Sequence, residues 1–344
     1  MKSDSAGSMR DAAVKISIDE ERRKKNDAED TRERSIIIIG SKGVGKTTMV
    51  YRFLEKDETP KPTLAMDYSF GRKAGKSLMR DVVHMWEVGH LASSLISAAM
   101  TGASLTHSVH HTTLMVILDL ASPDVLWSTL EESLAAARSA MKMSFTDEII
   151  EEMKQRRIND FRKCTEKRID PFPMKLCIVG GKYDEFKDYD LGKKQMIGKT
   201  LRAVACNLGA DLQYYSSKDS GLVRKMKDLL SWHGFSNHPL KGICSDLDKA
   251  LLIPAGTDSF TAIDLKYPAA YSTSVLETIK QGYLAEFPPS ERDDEIDLED
   301  PANDPNFNEA VIDRLRSQRE EEIAVNLRDM MEGRSPKIII PEPY

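Results

Sequence analysis

Residues 35–40 read SIIIIG, four β-branched side chains in a row. An unbroken apolar run of this length is the mark of a strand buried on both faces. A glycine-rich turn follows, then TTMVYRFLEK with a helical pattern, which PKPT at 60–63 ends. Residues 64–70 and 79–88 alternate apolar and polar positions and predict a hairpin pair. TTLMVILDL at 112–120 is a second buried strand, after which Pro123 and Asp124 open a helix. A heavily charged helical stretch spans 146–167 and is punctuated by prolines at 171 and 173. A strand at 175–179, a helix at 191–208, a strand at 211–216 and a helix at 219–234 complete the series. Strands alternating with helices over this length predict an α/β fold, a mostly parallel sheet wrapped by helices.

After residue 240 the pattern changes. KALLIPAGTDSF at 249–260 is a short apolar run ending in a turn, suited to an added edge element on the same sheet. Residues 286–308 are rich in Pro, Asp, Glu and Asn and read as a linker. In 309–333, Val311, Leu315, Ile323, Leu327 and Met330 fall near one side of a helix, with Arg319 interrupting the stripe. Such a helix packs back on its own domain or docks on a partner. The expected organisation is a charged arm at 1–34, a nucleotide-type domain at 35–240 and an extension packed on it at 241–285. An acidic linker at 286–308, an amphipathic helix at 309–333 and a tail at 334–344 follow.

Charge sharpens this division. The 344 residues carry a net charge of −6, which argues against a general nucleic-acid binder. Residues 1–34 hold 9 basic and 9 acidic side chains; residues 286–344 hold 7 basic and 17 acidic. The acidity therefore belongs to the C-terminal region, and 35–285 is slightly basic. The four cysteines form no CxxC pair and no disulfide framework, as expected of reduced thiols. No apolar signal core opens the sequence, and no apolar run approaches a membrane span, so no membrane insertion is expected.

The turn after the first strand carries the clearest chemistry. GSKGVGKT at 40–47 fits GxxxxGK[ST], a chance match of roughly one in a hundred for a chain of this length. Gly40, Gly43 and Gly45 let backbone N–H groups turn inward around phosphate oxygens, with Ser41 and Thr48 beside them. The helix N-terminus adds partial positive charge. Lys46 brings a full charge to the β and γ phosphates, and the Thr47 hydroxyl suits Mg²⁺. The bland alternative is a loop that keeps its shape and holds no ligand. Thr63 stands where a switch threonine reaches the γ phosphate and Mg²⁺.

GKYD at 181–184 resembles an NKxD guanine clamp in which Lys182 stacks on the base and Asp184 reads it; Gly181 replaces the asparagine. Ser217 and Lys218 follow the next strand and fit a loop completing the base pocket; a plain surface turn is the alternative. The set predicts a Ras-like P-loop domain. Its weak point is HMWEVGH at 84–90, where a DxxG motif is expected. Counting back from Gly89 puts Trp86 in the place of the metal-holding aspartate, and His90 in that of the glutamine that orients water. Glu87 is one place out of register. GTP or GDP with Mg²⁺ is then a structural ligand, not one that is turned over. HSVHH at 107–111 is a polar loop or a metal site, with the loop favoured. Asp119 caps the next helix or meets Mg²⁺, with the cap favoured.

Taken in order, SIIIIGSKGVGKTT, KPTLAMDYSFGRKA, HMWEVGH, LMVILDLASPDVLW, IDPFPMKLCIVGGKYDEF and LIPAGTDSF resemble the light intermediate chains of cytoplasmic dynein. The resemblance covers about residues 35–305 and favours the dynein-2 branch of the family, serving retrograde intraflagellar transport. It implies a non-motor subunit bound to the dynein-2 heavy chain, alongside other dynein-2 subunits and intraflagellar transport particles. It places the chain in the cytoplasm, on the cytoskeleton and in the cilium or flagellum, at axoneme and basal body. The other reading is a regulatory small GTPase controlling ciliary transport. LIPAGTDSF is expected to contribute to the heavy-chain interface, because an apolar extension beyond a complete sheet needs a cover.

Overall fold

A computed structural model describes residues 33–74, 80–106, 109–161, 169–236, 242–264, 275–289, 305 and 308–333. Nearly all of the N-terminal arm, the end of the charged stretch at 162–167, most of the acidic linker and the tail lie outside them, as do Met79, His107 and Cys164. The chain divides into two compact units, Met1–Ser290 and Glu291–Tyr344.

The first unit is built on seven strands. These are β1 (Glu33–Gly40), β2 (Met66–Ala74), β3 (Arg80–Val88), β4 (Thr112–Asp119), β5 (Lys175–Gly181), β6 (Ala210–Tyr214) and β7 (Leu252–Ile253). Their order across the sheet is β2-β3-β1-β4-β5-β6-β7. The five inner strands are parallel, and an antiparallel strand closes each edge, β2 on β3 and β7 on β6. The buried runs expected at 36–39 and 112–120 are central strands, and the expected hairpin is β2 and β3.

Strand alternation divides the core in two. Ile36 and Ile38 pack with Met85, Met115, Ile117 and Val179 beneath α1 (Lys46–Leu54) and the helix Ser220–Phe235. Ile37 and Ile39 face the other way. They pack with Leu114, Val116 and Leu118 against α2 (Ser93–Thr106), α3 (Pro123–Ser144) and the helix Leu191–Leu208. In chain order the remaining helices are α4 (Asp147–Asp160), α5 (Tyr183–Phe186), α6 (Leu191–Leu208), α7 (Ser220–Phe235), α8 (Phe260–Ile263), α9 (Val275–Glu286) and α10 (Ala310–Met331). Helices α2 and α9 were not expected from the pattern.

The segment 249–260 forms the edge strand β7, with Leu251, Leu252 and Ile253 buried. Its cover is the chain itself. Arg202 of α6 makes two hydrogen bonds to Asp258 at 2.8 and 2.9 Å, with both side chains buried, and Ile263 of α8 joins the core. The expectation that this apolar stretch needs an outside cover is therefore corrected: Leu251, Leu252 and Ile253 are buried by the chain itself. Beyond them, α9 places Tyr283 fully inside, its hydroxyl donating to Pro123 O at 2.6 Å. In the second unit, α10 buries none of its residues.

Candidate functional site

The loop between β1 and α1 needs its glycines. Gly40, Gly43 and Gly45 have φ of 148°, 76° and 100°, a region open to glycine at no steric penalty. At Gly40 a Cβ would also stand 2.3 Å from Ile117 O. The loop folds around the Lys46 ammonium, which donates to Gly40 O at 2.9 Å and Ser41 O at 2.8 Å. Ser41 Oγ lies 3.2 Å from Thr129 Oγ1, joining the loop to α3. Burial lowers the Lys46 pKa to about 8, against the opposing charge of Glu87. Thr48 is half-buried in the first turn of α1.

Glu87 is the residue the motif spacing missed. Trp86 pairs with Ile37 and Glu87 with Ile38, so neighbouring residues of β3 face opposite sides of the sheet. Trp86 turns away from the loop. Its ring lies 4.7 Å from Tyr68 and against Gly102 of α2, where a Cβ would meet it at 2.8 Å. Glu87 turns toward the loop. Its Oε1 accepts from Thr47 Oγ1 at 2.6 Å and from Thr63 Oγ1 at 2.9 Å. Thr47 and Thr63 are themselves 3.4 Å apart. Trp86 thus lies off the loop, and the carboxylate beside Thr47 and Thr63 is that of Glu87, the residue one place out of register.

The second carboxylate oxygen, Glu87 Oε2, is buried without a hydrogen-bond partner among the described residues. Burial raises the Glu87 pKa, against hydrogen bonds from Thr47 and Thr63 and the charge of Lys46. Two hydroxyls and a carboxylate with an open lone pair form a hard-oxygen set of the kind Mg²⁺ takes, alongside phosphate and water. The residues present therefore fit the ion. Gly89 explains the close approach of Thr63: a Cβ there would lie 2.3 Å from Thr63 O. Its N–H donates to Ala65 O at 2.8 Å. His90 sits in the bend after β3.

The base-side residues also come together. Lys182, at φ 55°, donates to Asp119 Oδ2 at 2.7 Å. Asp119 Oδ1 accepts from the Ala121 N–H, while Ser122 holds the N-cap of α3. Asp119 is therefore not the helix cap; it anchors the Lys182 ammonium. Asp184 accepts from Ser216 Oγ and pairs with Lys218 Nζ, both at 2.6 Å, and these two bonds hold its carboxyl below the usual range. Ser217 is half-buried beside them. At Gly181 a Cβ would meet Val44 O at 3.1 Å, so the glycine lies directly against the phosphate loop. At the other end of the sheet, His111 ends a short 3-10 turn, Val109–His111, and is buried. No group of three or more His, Cys, Asp or Glu side chains suited to a metal occurs among the described residues.

A sheet ordered β2-β3-β1-β4-β5-β6, with a glycine loop after β1 and base-side residues after β5 and β6, defines a Ras-like P-loop domain. A crystal structure of the dynein light intermediate chain's conserved domain has this fold: TM-score 0.54, 17% identity, 75% of this chain and 92% of that one. No family model matches the chain. The human protein cytoplasmic dynein 2 light intermediate chain 1 is 38% identical over 315 residues, 86% of this chain and 88% of its own length. Its counterpart from Danio rerio is 35% identical over 321 residues, 89% and 88%. The chain belongs to the cytoplasmic dynein 2 light intermediate chain family.

Proposed function

We propose that this chain is a non-catalytic subunit of the cytoplasmic dynein-2 motor that binds and stabilises the heavy chain. Through it the chain serves retrograde intraflagellar transport and the assembly of cilia and flagella. The observation that carries this reading is the similarity to dynein 2 light intermediate chains, over 86% of this chain in the human case. No helix among the described residues is long and apolar enough to cross a membrane.

The P-loop belongs to this reading as a structural device. GTP or GDP bound by Lys46 and the loop amides, with Mg²⁺ held by Thr47, Thr63 and Glu87, would tie β1, the Thr63 segment and β3 into one unit. When bound, Mg²⁺ neutralises phosphate charge. Such a ligand stabilises the fold by mass action.

The test is recovery of dynein-2 heavy chain from ciliated cells with tagged chain, wild type beside Lys46→Ala. Equal recovery is expected if docking does not depend on the phosphate site. Heavy chain absent from both would overturn the subunit reading. The GTPase reading has one observation in its favour, the Glu87 carboxylate beside Thr47 and Thr63. Single-turnover GTP hydrolysis by purified chain, abolished in Lys46→Ala, would bring it forward.

A further inference from the structure

The opposite end of the sheet from the P-loop holds a second cluster of charge. Arg34, Lys175 and Asp211 stand near the N-terminal ends of β1, β5 and β6. Each is two residues from a core side chain of the α7 face or shares its parity: Ile36, Cys177 and, through Leu212 on the reverse side, Asp211. Alternation therefore brings all three to the α7 side. There they line a cavity of about 410 Å³. Arg157, Asp160 and Phe161 close it from α4, Trp232 and His233 from α7, and Pro254 and Ala255 from the turn after β7. The volume falls within the range of small-molecule sites, roughly 300–1,000 Å³.

The two carboxylates are engaged. Asp211 accepts from the Ala255 N–H at 2.9 Å and lies 3.3 Å from His233 Nε2. Asp160 lies 3.4 Å from Arg157. The cations are less well matched. Arg157 donates to Gly209 O, yet its Nε–H is buried with no acceptor among the described residues. The side chains of Arg34 and Lys175 make no hydrogen bond among the described residues, though the charge of Asp81 acts on Arg34 and that of Asp160 on Lys175. Burial, with the like charges of Arg34 and Arg157, lowers the Lys175 pKa to about 8. Three cationic groups from β1, α4 and β5 thus crowd one cavity, and the Arg157 Nε–H there lacks an acceptor among the described residues. An oxyanion relieves both the crowding and the orphan donor.

The remaining walls narrow the chemistry. Trp232, Phe161 and Pro254 offer flat apolar surface, and Asp160 offers an acceptor for hydroxyl donors. We propose that this cavity is a second ligand site, separate from the P-loop, that takes a phosphorylated cyclic polyol. Phosphate meets Arg34, Arg157 and Lys175; the ring lies against Trp232; a hydroxyl donates to Asp160. A soluble sugar or inositol phosphate and a phosphoinositide headgroup share this chemistry.

The test is a titration of the full chain with myo-inositol trisphosphate, followed by tryptophan fluorescence and calorimetry. Saturable binding is expected, with the fluorescence change lost in Trp232→Phe. Lys175→Gln and Arg34→Gln should each weaken binding by roughly tenfold or more. Lys175→Arg should retain it, and circular dichroism melting checks that each variant is folded. Lys46→Ala should bind as wild type. Absence of binding, equal binding by folded Lys175→Gln and Arg34→Gln, or loss only in Lys46→Ala would each overturn the proposal. Sedimentation with phosphatidylcholine vesicles, with and without phosphatidylinositol bisphosphate, separates the sources. Pelleting that requires the phosphoinositide and is lost in Lys175→Gln identifies the headgroup; binding of the soluble phosphate alone identifies the free polyol.

Discussion

Glu87 and Lys46 face each other with opposite consequences for stability. Burial raises the Glu87 pKa, so the folded chain holds that proton more tightly than the unfolded one. Stability of the ligand-free chain therefore falls as pH rises from the ordinary carboxylate value through the raised one. Glu87→Gln should remove that slope in chemical denaturation at a series of pH values. Lys46 runs the other way. Its pKa is lowered from 10.5 to about 8, so between those values the unfolded chain binds more proton and stability rises with pH. Phosphate binding, which uses the charged lysine, should weaken above about pH 8, as calorimetry with GDP would record. Glu87→Gln should also reduce the gain in nucleotide affinity on adding Mg²⁺ by roughly tenfold. Gly40→Ala forces a side chain onto Ile117 O at a left-handed φ and should cost about 2 kcal/mol or more in thermal unfolding. The glycines and Lys46 were legible as a spaced motif. Glu87 was not, because counting from Gly89 ignores which face a strand residue takes. The signal was present: in MWEV, Met85 and Glu87 share one parity, and Met85 is a core residue of the P-loop side.

At the scale of elements, the strands were legible because buried β-branched runs have few other uses. Helix α2 was not. Its sequence SSLISAAMTGASLT is rich in Ser, Thr and Gly, poor helix formers that composition assigns to loops. Packing decides otherwise, since Gly102 makes room for the Trp86 ring. The extension depends on the pair Arg202–Asp258. Removing one partner of a buried ion pair costs about 3–5 kcal/mol, so Arg202→Ala should destabilise strongly and free 251–263 for hydrogen exchange. Helix α10 behaves differently. Leu315, Ile323, Leu327 and Met330 are all exposed, while Arg319 pairs with Glu322. Leu315→Glu with Leu327→Glu should leave the melting of the first unit unchanged. A loss of co-purifying dynein-2 subunits in that double variant would mark α10 as a docking helix; full recovery would count against it.

For the whole molecule, the order of pairing has a consequence for synthesis. The four isoleucines of β1 lie between β3 and β4, whose residues follow much later in the chain. The hairpin of β2 and β3 can close locally, but β4 ends at Asp119. A ribosome adding ~5–20 residues per second leaves that apolar strand without its second neighbour for several seconds. An uncharged β-branched run exposed for so long is a seed for association between nascent chains. The stretch ERRKKNDAEDTRER immediately before it places dense charge beside the seed. That arm would then act as a gatekeeper during translation, and its removal should lower soluble yield more than it lowers the stability of chains already folded.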